Sequence, residues 1–451
     1  MSPVLSIFEK FYQKLRSHRY GFSLCIYLSA AVLTGMACVL FMRAFEFVYV
    51  HRLDSAHVGR WCWLTTPLLF LAAIELIRFA APCADGAGIP QTIFAAKHLN
   101  DSNFKELKPL VSFKTMSVKI VALLIGLWAG ASTGREGPTV HIAACLFFGI
   151  TWALHRLFKL PFNMRSAVVA GGAAGLAAAF NTPLAGVTFA IEELSSDYFA
   201  SIKDMVLMAI IVAGLAAKAM TGEYLYFGHL TDPSGVAISM IILVGVIGGA
   251  GGTLFSIFLV EGRKRLVAIK GWKRYLSIVV LAWAVLFLAT TSGMAGIMGP
   301  GNLAAQNYVQ GNIETSPVLF PLYKMAATLF TYWSGIAGGI FAPCLSMGSG
   351  IGAWVASFDH GPVAVCAVMG MAAFLAGAIQ APITSFVIIY EMTGHHQMLL
   401  PIMLSALIGH MMARIFRAKH LYQALAGFYD HMLVKSVVLQ PVPSRSPSHN
   451  Q

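Results

Sequence analysis

The chain has 451 residues, of which 57% are hydrophobic and only 11% charged, against about 25% charged in ordinary soluble domains. A mean hydropathy of +0.72 over that length excludes a soluble protein with a single anchor and points to an all-α polytopic membrane protein. The net charge of +12 sits in short basic clusters, so it fits cytoplasmic loops and a lipid bilayer rather than nucleic acid, and it places both termini in the cytoplasm.

Residues 1–20, with Lys10, Lys14, Arg16 and Arg19, read as an amphipathic cytoplasmic lead-in, because no cleavage-type run of small residues follows a short apolar core. The apolar pattern then predicts helices over 21–50, 61–81, 111–131, 139–154, 167–179, 184–194 and 205–220. A second series covers 236–259, 275–288, 322–335, 343–356, 363–378, 383–391 and 399–415. Basic clusters fall between or after these helices, at Arg263 to Arg265, at Lys270, Lys273 and Arg274, and at Arg414, Arg417 and Lys419. Several helices are too short to cross about 30 Å of hydrocarbon at about 1.5 Å per residue. Many are separated by Gly and Pro instead of polar loops, which is how helices that line a watery or ionic path are written. The 7 cysteines lie singly in apolar surroundings, without C-x-x-C, and read as packing residues.

The chain is written twice. "VKIVALLIGLWAGASTGREGP" (118–138) lies over "YKMAATLFTYWSGIAGGIFAP" (323–343) without a gap. Lys119 falls on Lys324, Trp128 on Trp333, Gly134 on Gly339 and Pro138 on Pro343. Further on, "GGAAGLAAAFNTPLAGVTFAIEEL" (171–194) matches "GMAAFLAGAIQAPITSFVIIYEMT" (370–393), pairing Pro183 with Pro382 and Glu192 with Glu391. Two homologous transmembrane halves, 21–222 and 236–417, follow, with 418–451 as a C-terminal segment and tail. Small-residue runs such as "GVIGGAGGT" let helix backbones approach closely, and "GSGIGA" at Gly348 reads the same way rather than as a nucleotide loop.

Each half contributes a glycine–proline break that opens a helix, "GREGP" (134–138) and "GIFAP" (339–343); "GAGIP" (86–90) has a looser counterpart in "GIMGP" (296–300). Glycine allows unusual backbone angles and proline suits a first helical turn. The result is a helix start whose free N–H groups favour an anion through partial charges, loosely enough to release it.

"GAGIP", "GREGP" and "GIFAP", in this order and spacing, resemble the three signature segments of the CLC family of chloride channels and chloride/proton antiporters. "LYQAL" (421–425) resembles the family's tyrosine segment. The resemblance implies an inverted-repeat helical bundle of many tilted and half-length helices, assembled as a homodimer with one anion path per subunit. Glu136 corresponds to the gating glutamate, whose carboxylate occupies the outer anion site until protonation releases it; the bland alternative is an interfacial carboxylate in a loop. Gly86 and Gly137 support these turns. Arg135 either raises the potential at the outer mouth or is solvated there, and the sequence leaves both open. Ile340 and Phe341 match the positions whose amides coordinate the central anion, and Tyr422 matches the tyrosine whose hydroxyl donates to it. Ala87 stands where many chloride-selective members have serine, so one side-chain donor is missing at the central site.

Glu193 matches the inner glutamate that passes protons in the family's antiporters. The repeat gives an independent hint, since Glu192 is matched by Glu391 whereas Glu193 faces Met392. A scaffold role suits the first acid and a one-sided proton route suits the second. Lys119 reads as structural because Lys324 repeats it. The expectation is therefore a secondary chloride/proton antiporter, not an enzyme, with protons and chloride as substrates, nitrate or other halides being less firmly excluded because of Ala87, and with no cofactor or metal. The alternatives are a passive chloride channel of the same family or a cation-coupled solute carrier. Neither H-E-x-x-H nor G-x-S-x-G occurs, and the histidines are scattered. The Ser/Pro-rich tail reads as disordered and too short for a regulatory nucleotide-binding pair, which suggests a compact bacterial form in the plasma (inner) membrane.

Overall fold

The computed structural model describes residues 18–54, 61–160, 163–194, 199–222, 225–228, 230, 235–294, 296–358, 361–430 and 432. The lead-in expected over 1–20 and the Ser/Pro-rich tail lie almost wholly outside these residues. In chain order the first half forms α1 (His18–Asp54), α2 (Cys62–Ala80), α3 (Ile89–His98), α4 (Phe113–Trp128), α5 (Glu136–Phe158), α6 (Met164–Phe180), α7 (Pro183–Phe189) and α8 (Phe199–Thr221). The second half forms α9 (Ile238–Val267), α10 (Trp272–Ser292), α11 (Asn302–Val309), α12 (Leu319–Ser334), α13 (Phe341–Ala356), α14 (Val363–Ile379), α15 (Pro382–Thr393) and α16 (Leu399–Ile415); α17 (Leu421–Ala426) follows. Pairing of extended backbone among the described residues is limited to two isolated bridges.

Seven of the described helices are long and apolar enough to cross a membrane, and the chain is a multi-pass membrane protein. The 37 residues of α1 reach about 55 Å, well beyond the hydrocarbon thickness. The short apolar helices α6 and α14 have the opposite character. Every residue of α14 after Val363 is buried, as is all of α6 after Arg165. They form the centre of the bundle, α6 against α5 and α14 against α13. Glycine makes these contacts close: a Cβ on Gly348 would meet the Gly370 carbonyl at 2.5 Å, and one on Gly252 the Phe374 carbonyl at 2.0 Å.

Equivalent segments end in equivalent ways. Both buried helices stop at a left-handed residue, Asn181 (φ 57°) after α6 and Gln380 (φ 62°) after α14. A Thr-Pro or Ala-Pro step then starts the next helix, since the residue before proline is driven out of the helical region. The next pair, α7 and α15, are capped crosswise. Glu192 accepts from the amides of Ile383 and Thr384 (3.0 and 2.6 Å), and Glu391 accepts from those of Leu184 and Ala185 (3.0 and 2.7 Å). Each acid neutralises the helix start of the other half, the arrangement a local two-fold axis produces.

Some boundaries differ from the sequence reading. α5 starts at Glu136 instead of 139, because the glycine break places the glutamate in the first helical turn itself. The helix expected over 184–194 is α-helical only to Phe189 and then widens into a π-turn over Ala190–Leu194. α3, α11 and α17 were not expected: at ten, eight and six residues they are too short to display a clear apolar period.

Candidate functional site

The three glycine–proline turns meet at one place. The Gly134 amide donates to the Gly339 carbonyl at 2.8 Å and the Gly339 amide returns the bond at 2.9 Å, so "GREGP" and "GIFAP" pair antiparallel. "GAGIP" joins them through the Gly338 amide, which donates to the Gly86 carbonyl at 3.1 Å. A Cβ added to Gly137 would stand 2.7 Å from the Ala87 carbonyl. Three helix starts thus converge, α3 behind Gly88, α5 behind Arg135 and α13 behind Ile340. Gly88 has φ 93° and approaches the His141 Cβ so closely that no side chain fits.

Two lysines hold the outlying turns. Buried Lys119 donates to the carbonyls of Asp85 (3.1 Å) and Gly86 (3.0 Å). Its repeat mate Lys324, also buried, donates to those of Ile297 (3.0 Å) and Gly299 (2.6 Å). "GAGIP" and "GIMGP" are therefore equivalent turns anchored by equivalent lysines, and each precedes a short helix, α3 or α11.

Glu136, the first residue of α5, is fully buried. Its Oε1 accepts from the Tyr226 hydroxyl at 2.9 Å. The amides of Glu136 itself and of Ala342 face the carboxylate, and its Oε2 makes no side-chain hydrogen bond among the described residues. That oxygen lies so near Gly134 that a Cβ there would strike it at 2.4 Å, with the Ala342 Cβ at 3.1 Å. The carboxylate therefore leans onto the α13 start. The amides of Ile340 and Phe341 at that start have no intrahelical carbonyl to donate to, and both residues are buried.

Tyr422 is 1% exposed and its hydroxyl is without a partner among the described residues. It stands within electrostatic reach of Glu136, Glu193, Tyr332 and Cys344. Glu193 lies on the π-turn, 5% exposed, with Oε2 unpartnered among the described residues and with Lys97 and Glu192 as charged neighbours. π-Turns inside helices recur at functional sites because they re-aim a side chain. Glu192, one residue earlier, points away to cap α15.

A cavity lies on either side of these turns. One, of about 630 Å³, is lined by Arg135, Tyr226, Asn302 and Gln306 with Arg43 and Glu46. There Arg135 is an ion-pair partner of Glu46 (3.2 Å) and is only 12% exposed, so it is not simply solvated. The other, of about 310 Å³, is lined by Gly86, Ala87, Asp85, Arg263, Tyr332 and Tyr429. Asp85 is clamped by Arg263 (2.5 Å) and by the Tyr429 hydroxyl (2.8 Å). No group of three or more metal-ligating side chains occurs among the described residues.

A family profile described as "Voltage gated chloride channel" matches residues 68–414. The chain belongs to the CLC family. Among curated CLC proteins, the H(+)/Cl(-) exchange transporter ClcA of Cronobacter sakazakii is 31% identical over 421 residues, covering 87% of this chain and 87% of that one. ClcA of Salmonella typhimurium is 30% identical over 437 residues, with 89% and 87% covered. The fold matches that of a slow cyanobacterial Cl-/H+ antiporter with TM-score 0.76 and 24% identity, over 91% of this chain and 98% of that one. It also matches a CLC-type fluoride/proton antiporter with TM-score 0.70 and 20% identity, over 89% and 97%.

Within this CLC fold the structure brings the turns that carry Gly86, Ala87, Glu136, Gly137, Ile340 and Phe341 together, with Arg135 lining one cavity and with Tyr422 in electrostatic reach of both Glu136 and Glu193. Sequence reasoning missed Tyr226, Asn302 and Tyr332. Tyr226 and Asn302 carry no motif. Tyr332 did leave a signal: in the repeat it faces Leu127, and its hydroxyl stands 3.2 Å from where a Cβ on Gly86 would lie. A hydroxyl thus reaches the turn where Ala87 supplies none.

Proposed function

We propose that the chain exchanges chloride for protons across the membrane. What supports this is the run of buried groups from Glu136 through Tyr422 to Glu193, together with the exchange activity named for the ClcA relatives. An orphaned, buried tyrosine hydroxyl beside a helix start is a donor set for a dehydrated halide. With the Ile340 and Phe341 amides it supplies hydrogen bonds and partial charge without a fixed cation. Glu136 is a carboxylate tethered where a second anion would sit. Ionised, it occupies that place; protonated or displaced, it yields to chloride. Protons reach it from the other side through Glu193, whose unpartnered oxygen and charged neighbour Lys97 suit a relay.

On this reading the substrates are chloride and protons, and no cofactor or metal takes part. The halves 21–222 and 236–417 act as repeat units around one path, and 418–451 brings Tyr422 to it. The cavity with Arg78, Arg263 and Arg274 on its walls is the cytoplasmic mouth by the positive-inside rule. Both termini then lie in the cytoplasm of a bacterial inner-membrane protein, and the family resemblance makes it a homodimer.

Paired flux measurements in proteoliposomes test this. A chloride gradient should drive proton uptake in the wild type. Glu136→Gln should abolish proton movement while chloride still flows, and Glu193→Gln should retain chloride flux and stop protons. Wild-type chloride flux without protons would make the protein a channel, and coupling that survives both substitutions would overturn the residue roles.

A further inference from the structure

The Glu136 carboxylate is held by a residue from outside the three signature turns. Tyr226 lies in the stretch between α8 and α9 that joins the two halves, and its hydroxyl donates to Glu136 Oε1 at 2.9 Å. The same hydroxyl oxygen accepts from Asn302 Nδ2 at 2.7 Å. Asn302 opens α11, just behind "GIMGP". One turn further on, Gln306 Nε2 donates to the Tyr226 carbonyl at 3.1 Å. The ring is fixed as well: it meets Phe180 edge-on at 5.3 Å between centroids, and the Arg135 guanidinium lies 5.7 Å from its centre.

A hydroxyl has one proton to give. With Asn302 donating to the oxygen, that proton is committed to Glu136, and the donated bond polarises it further. Tyr226 is buried at 5% exposure, at the wall of the cavity it shares with Asn302 and Arg135, so its hydroxyl is the side-chain donor already in place for the carboxylate. The linker and the second half therefore both grip the one carboxylate that must move.

We propose that Tyr226, oriented by Asn302, is a positioning residue that latches Glu136 into the outer anion place and thereby sets how strongly chloride must compete for it. This rests on the gating role of Glu136 proposed above. Two anions that exclude each other share one place, so apparent chloride affinity is the intrinsic affinity scaled by the fraction of time the carboxylate is away. Loss of a hydrogen bond to a charged group shifts the ratio of occupied to vacated states roughly 10-fold, and the apparent Kd by nearly as much where the carboxylate is in place most of the time.

Isothermal titration of chloride into the purified full-length protein tests the latch in four forms: wild type, Tyr226→Phe, Glu136→Ala and the double variant. Tyr226→Phe should lower the apparent chloride Kd roughly 10-fold in the wild type and leave it unchanged in Glu136→Ala, where there is no carboxylate to hold. A ring that merely supports the fold would move both backgrounds alike, and that result would overturn the proposal. So would an unaltered Kd in the first background. Asn302→Ala should shift Kd in the same direction but add nothing to Tyr226→Phe; it also carries the test if the phenylalanine variant fails to fold. If Glu136→Ala itself does not tighten chloride, the gating reading falls. If it does and Tyr226→Phe does not, the latch alone falls.

Discussion

Tyr422 and Ala87 hold opposite positions in the same path, one a donor without a partner and the other a position without a donor. Removing the Tyr422 hydroxyl costs the folded protein no internal hydrogen bond among the described residues. Tyr422→Phe should therefore leave the Tm in detergent unchanged while weakening chloride binding roughly 10-fold, the worth of one bond to a charged group. Ala87→Ser should strengthen chloride binding in the same titration, because it adds a hydroxyl beside the helix start that Tyr332 already approaches. Glu136 and Glu193, the acids proposed for the two ends of the path, drew attention in the sequence through the family resemblance and for a physical reason as well. A charge in an apolar run is expensive and stands out, and comparison of the halves separates Glu193 from Glu192. Tyr226 was not legible, because a tyrosine in a short connection looks like any interfacial aromatic until the fold sets it against Glu136.

At the level of helices, the crosswise caps give each half a claim on the other. Glu192→Gln and Glu391→Gln each weaken two charge-assisted bonds at a helix start and should lower stability by about 1–3 kcal/mol, read as a fall in Tm. Proton coupling should persist in both, because neither carboxylate faces the path; a Glu192 variant that uncouples would show that the pair at 192–193 works as one unit. Most of the long helices could be read from hydropathy alone, since length and apolarity suffice. The short helices α3, α11 and α17 could not, although two of them bring Ala87 and Tyr422 to the site. The turns before α3 and α11 are held by Lys119 and Lys324 respectively, and no local period records such contacts. The π-turn at Glu193 was hidden for the same reason: one extra residue in a helical turn leaves the apolar pattern almost intact.

Over the whole molecule, the contact between "GREGP" and "GIFAP" is the narrowest joint and the most exacting. A Cβ at residue 339 would meet the Gly134 carbonyl and the Pro138 Cδ at 3.0 Å each. Gly339→Val should therefore abolish chloride flux in proteoliposomes even where the protein is still recovered folded, while Gly235→Val, at a glycine with no atom within 4 Å of such a Cβ, should leave it intact. The duplication foretold that the halves would meet, but it could not foretell that they would be stitched by backbone bonds running both ways. That stitching restricts how the protein works. If chloride rests where we propose, two lobes sewn together at that place would have to tear those bonds to rock apart and admit it alternately from each face. On the proposed reading the reversal of access falls to something as small as one swinging carboxylate, so a cross-link clamping the lobes elsewhere should scarcely slow the cycle.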